Sequence, residues 1–165
     1  MNEQEISTTW RPAIAQSEAA LEATLGDHPN RAVVLSTLGI YLSRRYERSG
    51  NLQHLEAAIA RSEAAVQESQ ADDPHRVGLL LNLGNRLTSR YERTGYIQDL
   101  EAAIARLEEA VDLTKEGHPD RAGRLGNLGI QLSRRYERTG NLQDLEAAIG
   151  RSEEAVDAIP GENPD

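Results

Sequence analysis

Leucines recur along this chain in steps of three and four residues and close on a tyrosine: Leu35, Leu38, Leu42 and Tyr46, then Leu80, Leu83, Leu87 and Tyr91, then Leu125, Leu128, Leu132 and Tyr136. That spacing places each set on one face of a helix, the apolar stripe of an amphipathic segment. Gly50, Gly95 and Gly140 follow the stripes and supply the left-handed residue on which a helix stops without strain. Pro29, Pro74 and Pro119 mark the starts, with Asp73 a good N-cap in the second copy. The pattern predicts a first helix of about 19 residues, roughly 28 Å long at ~1.5 Å per residue. After each glycine comes NLQHLEAAIARSEAAV, YIQDLEAAIARLEEAV or NLQDLEAAIGRSEEAV. In these, Leu55, Ala58, Ile59, Ser62, Ala65 and Val66, with their counterparts, form a second helical face whose small residues let another helix approach closely. Asn51 and Asn141 suit the N-cap of this second helix, whereas Tyr96 does not.

All of these landmarks repeat at an interval of 45 residues, the mark of a repeat architecture. Leu38, Gly39, Tyr46, Gly50 and Ala58 hold structural positions shared with Leu83, Gly84, Tyr91, Gly95 and Ala103, and with Leu128, Gly129, Tyr136, Gly140 and Ala148. The segment WRPAIAQSEAALEATL aligns with the second helix, Trp10 falling at the register of Leu55 and Ile14 at that of Ile59. The chain therefore reads as a leading helix in 1–27, repeats at 28–72, 73–117 and 118–162, and the start of a further repeat at 163–165: about seven helices, all-α. Each hairpin has apolar residues that only a neighbour covers. The last hairpin is accordingly expected to leave apolar surface open near Leu125, Leu128, Ile149 and Val156, which makes self-assembly into homo-oligomers through uncapped ends one functional reading.

Composition narrows the chemistry. A formal net charge of −9 opposes affinity for nucleic acid or anionic membrane surfaces. No cysteine is present, and no apolar run approaches the ~20 residues of a membrane span. A cytoplasmic location is the expectation. His28, His54, His75 and His118 lack metal-ligand spacing, and three of them sit near helix starts, so turn and capping roles are expected and no metal. Repetition of Glu47/92/137, Glu56/101/146 and Glu63/108/153 at every hairpin favours ion pairing with Arg45, Arg48 or Arg61 over acid–base catalysis. No serine has a nucleophile-elbow context, so neither an enzyme nor a cofactor is expected.

The run Leu35-x2-Leu38-Gly39-x2-Leu42, with Ala58 in the second helix and Pro74 in the loop, resembles the tetratricopeptide repeat, lengthened from about 34 residues by the RRYERSG, SRYERTG and RRYERTG segments. That resemblance implies a right-handed α-solenoid of antiparallel helix hairpins, with first helices lining a concave groove that binds a protein or peptide ligand. The long repeat resembles arrays found beside CHAT peptidase and NTPase domains, which implies a sensing or scaffolding part of a larger protein. Positions that vary between copies along the first helix become candidate groove contacts: Thr37, Asn82 and Asn127; Tyr41, Arg86 and Gln131; Asn85; and Arg44 and Arg134. An amide both donates to and accepts from a peptide main chain, and arginine suits acidic groups on a ligand.

Overall fold

A computed structural model of the protein describes residues 3–23 and 30–159, with side chains at 12–22 and 30–159. The described elements are all helical: α1 (Glu3–Ala23), α2 (Arg31–Ser49), α3 (Leu52–Glu68), α4 (Arg76–Thr94), α5 (Ile97–Asp112), α6 (Arg121–Thr139) and α7 (Leu142–Asp157). The chain divides within α4 into two units, Met1–Arg86 and Leu87–Asp165.

The first-type helices α2, α4 and α6 are each 19 residues long, the length the leucine spacing predicts. Helices α4 and α6 begin two residues after their prolines, because Asp73 and His118 first close tight turns: the Arg76 N–H donates to the Asp73 carbonyl at 3.0 Å and the Arg121 N–H to that of His118 at 2.9 Å. At the other end Gly50, Gly95 and Gly140 take φ of 64°, 75° and 73°. Their N–H groups donate to the carbonyls of Tyr46, Tyr91 and Tyr136 at 2.8, 2.7 and 2.7 Å, so the tyrosine of RYER(S/T)G lies one turn before the stop. A Cβ at any of the three would be strained by roughly 1–2 kcal/mol. The side chains of Asn51 and Asn141 accept from the N–H of Gln53 and Gln143 at 3.0 and 3.1 Å. Tyr96 gives its helix no side-chain cap.

In the first unit, α2 and α3 form a hairpin whose buried seam holds Leu35, Leu38, Leu55, Ala58 and Ile59. Helix α1 packs on α2 through Ile14, which joins Leu38, Leu42 and Ala58 in one cluster. Gly39 permits the close crossing of α2 and α3: a Cβ there would stand 3.1 Å from Ser62 Oγ and 3.3 Å from the Ala58 carbonyl oxygen. In the second unit, α5 packs on α6 and α6 pairs with α7, burying Leu100, Ala103, Ile104, Leu107, Leu125 and Leu128. Gly129 meets Ser152 and Ala148 as Gly39 meets Ser62 and Ala58, at 3.2 and 3.3 Å.

One arginine per repeat ties a first-type helix to the second-type helix before it. Arg31, Arg76 and Arg121 place Nη1 at 3.1, 3.1 and 3.0 Å from the carbonyl oxygens of Leu21, Val66 and Val111. These carbonyls lie at or near the C-terminal ends of α1, α3 and α5, where unpaired acceptors and the helix dipole both favour a cation. The expectation of open apolar surface needs correction in detail. Leu125 and Leu128 are buried by their own hairpin, whereas Ile149 and Val156 are exposed, together with Leu142 and Ile159. The side chain of Trp10 and the positions of His28 and Pro29 lie outside the described residues.

Candidate functional site

The nine groove candidates fall on α2, α4 and α6, but burial separates them. In the first unit Arg44 and Asn85 are exposed and Thr37 is half-exposed, its Oγ1 donating back to the Val33 carbonyl at 2.9 Å. Asn82 is half-buried and donates from Nδ2 to Ser36 Oγ at 3.4 Å, which holds its amide across the α2–α4 crossing. Tyr41 is half-buried against the cluster of Ile14, Leu38, Leu42 and Ala58, so its ring is partly a packing element. In the second unit Asn127 is half-buried on α6. Arg134 Nη1 donates to Glu92 Oε1 at 2.6 Å, and the two residues line an open recess of about 360 Å³ with Tyr91, Glu137 and Arg138.

Arg86 and Gln131 are corrected. Arg86 is only 6% exposed, lies over Gly39, and donates from Nε to Ser43 Oγ at 2.8 Å and from Nη1 to Ser62 Oγ at 2.9 Å. Ser62 Oγ in turn donates to the Ala58 carbonyl at 2.7 Å. Burial without a carboxylate pushes the guanidinium down to about 10, because desolvation penalises the charged form. Gln131, at the same register, is 5% exposed. Arg86 reaches from α4 to Ser43 on α2 and Ser62 on α3, and Gln131 is buried at the same register of α6, so this position is turned inward in both copies. The amphipathic stripe alone does not distinguish the two.

Ion pairs also differ from expectation. The recurring pair runs from the second arginine of RRYER(S/T)G to the third residue of the next helix. Arg90 binds Asp99 at 2.8 and 2.6 Å, and Arg135 binds Asp144 at 2.9 and 2.6 Å. Both are two-pronged pairs in which the acid is nearly buried, 9% and 6% exposed. Of the repeated glutamates, Glu92 pairs with Arg134, while Arg106 and Arg151 pair with Glu109 and Glu154 three residues on. A period-matched column of Arg45/90/135 against His54/Asp99/Asp144 carried the missed signal, and copy one breaks it. There His54 Nδ1 lies 3.0 Å from Ser49 Oγ, and its pKa is lowered by burial and by the charge of Arg45. The His75 N–H donates to Asp73 Oδ1 at 2.7 Å, and His118 Nδ1 accepts from the Asp120 N–H at 3.1 Å, both inside turns. Among the described residues no three His, Asp or Glu side chains gather as a metal site, and no helix is long and apolar enough to cross a membrane.

Against known proteins, the family model described as tetratricopeptide repeat matches residues 31–75 and 77–120. No curated protein matches the chain significantly. Among solved structures it is similar to the DHF58 filament, with a TM-score of 0.57 and 21% identity over 95% of this chain and 83% of that one. It is also similar to the de novo designed helical repeat protein DHR64, with a TM-score of 0.53 and 21% identity over 94% and 82%. The DHF119 filament follows at 0.51 and 21%, over 94% and 82%. These likenesses bear on fold: an all-α solenoid of helical repeats.

Proposed function

The chain belongs to the tetratricopeptide repeat family, and on that premise we propose that it is an interaction scaffold that binds a peptide or partner segment on the face of its first-type helices. One observation carries the reading: on α2 and α6 the varied positions present accessible polar side chains, Thr37 and Arg44 in one unit and Asn127 and Arg134 in the other, over a framework of buried leucines that repeats without change. A rigid scaffold with variable polar positions suits recognition, because the amides serve a main chain and the arginines serve acids. No chemistry of its own is assigned to the chain, and a sensor array within a larger protein is the setting the long repeat suggests. Peptides selected from a random display library against the immobilised protein test the site. Their affinity should fall on substituting Asn127→Ala together with Asn82→Ala, with helical content unchanged. Selected peptides that bind the double variant equally well would remove this face as the site.

A second reading, self-assembly, is favoured by the bare side chains of α7. Ile149 is 52% and Val156 68% exposed, whereas Ile59 and Ile104 are each 2% and Val66 and Val111 are 7% and 2%. Large exposed apolar side chains in one line mark an interface. Two of the similar structures are filaments, which supports the same reading. Light scattering across a concentration series tests it, and a monomeric mass at the highest concentration would sink it.

A further inference from the structure

We propose that α7 of one copy takes, on α2 of a second copy, the seat that α1 takes within its own chain, so that α1 is a displaceable cap on head-to-tail assembly. The inference rests on the self-assembly reading and adds to it the receiving surface and the element that guards it.

The 45-residue register makes α1, α3, α5 and α7 versions of one helix, and α2, α4 and α6 versions of the other. Helix α1 packs on α2, and α5 packs on α6. In both packings the arginine that opens the receiving helix reaches the same register point of the helix it receives: Arg121 to the Val111 carbonyl and Arg31 to that of Leu21. The surface of α2 is therefore a seat for a second-type helix. Helix α7 is such a helix with the matching face bare, since Ile149 and Val156 hold the registers of Ile104 and Val111, which α6 covers. The Val156 carbonyl holds the register that Arg31 addresses. In α5 the equivalent Val111 carbonyl accepts both from the Thr114 N–H and from Arg121, so the local N–H bond of Ile159 to Val156 leaves room for the arginine.

Charge makes α7 a better occupant than α1. On α6, Arg135 is held in its charged form first by its hydrogen bond to Asp144, with the charges of Glu108 and Glu101 on the received helix adding to it. On α2 the equivalent Arg45 has His54 in place of that aspartate, and it makes no ion pair among the described residues. In α1 the registers of Glu101 and Glu108 hold Arg11 and Glu18; in α7 they hold Glu146 and Glu153, both exposed. Seating α7 would place two glutamates at these registers near Arg45, where the sequence of α1 has one. Helix α1 also runs through Pro12, which removes one of its backbone hydrogen bonds. Each copy carries one α7 and one α2 seat, so the contact is heterologous: it joins two different surfaces and each copy can give one and receive one.

Sedimentation velocity of the full chain over a concentration series tests the assignment. Glu146→Arg with Glu153→Arg should weaken association by about tenfold or more, Arg45→Glu alone should also weaken it, and the three together should recover it. Ile14→Asp, which loosens α1, should strengthen it. Loss of association in Ile149→Asp with Val156→Asp, but indifference to Arg45→Glu, would overturn the α2 seat while leaving self-assembly standing, as for a two-fold pairing of α7 with α7. A monomer at every concentration, in the native chain and in Ile14→Asp alike, would overturn both.

Discussion

Replacing His54 with aspartate should stabilise the first hairpin, and the other two hairpins supply the magnitude. Arg90 and Arg135 each grip an aspartate through two hydrogen bonds, with the arginines 28% and 26% exposed and the acids far less. Charge-assisted hydrogen bonds contribute about 1.5–3 kcal/mol in partly buried sites, against ~0–1 for an exposed pair. Discounting for the arginine's exposure, and including ~0.3–1 kcal/mol for a negative charge in the first turn of α3, the expected gain is about 1–2 kcal/mol at pH 7. At roughly 2–4 °C per kcal/mol for a chain of this size, the midpoint rises by about 2–8 °C. The pH dependence has a definite sign. Burial, and then Arg45, lower the pKa of His54, so the fold prefers the neutral ring. That stability is present above the ordinary value near ~6.5 and is lost as pH falls toward the depressed one. Aspartate suffers no such loss in that range, so the advantage of His54→Asp should be larger at pH 5 than at pH 7. Circular dichroism melts at both pH values and at two salt concentrations give the readout, with an Arg45→Gln cycle isolating the pair. Equal midpoints at low salt, or a gain of the same size in the Arg45→Gln background, would refute the reasoning.

Four further outcomes are expected. Gly39→Ala should destabilise by about 1–3 kcal/mol despite better helix propensity, because its Cβ meets a backbone carbonyl at 3.3 Å. Gly150→Ala, where nothing lies within 4 Å, should stabilise by up to ~1 kcal/mol; urea unfolding of the pair checks the opposite signs. Arg86→Gln, which copies the neutral residue of the third repeat, should be neutral or stabilising by up to ~2 kcal/mol, since a buried cation held only by hydroxyls carries a desolvation cost; a large loss in thermal unfolding would contradict this. Arg121→Gln removes the tie to the carbonyls of Val111 and Thr114 and should cost about 1–3 kcal/mol, read as faster hydrogen exchange at the C-terminal end of α5.

Period and stripe were enough to derive the helices, their stops at Gly50, Gly95 and Gly140, the caps at Asn51 and Asn141, and the repeat class, because each depends on neighbours within one or two turns. Part of the candidate site was legible for the same reason: the positions of Thr37, Arg44, Asn127 and Arg134 off the apolar stripe follow from helical phase. Tertiary structure decided what phase leaves open. Position 41/86/131 lies off the stripe and yet is turned inward at Arg86 and Gln131, which are buried. The choice of Asp99 and Asp144 over the repeated glutamates as arginine partners depends on how the hairpin brings one helix end to the next helix start, nine residues on in each case. The same leucine, isoleucine and valine registers recur along α3, α5 and α7, but only packing determines that Ile104 and Val111 of α5 are core and Ile149 and Val156 of α7 are surface. Local pattern sets which side chains share a face; burial belongs to whatever that face meets.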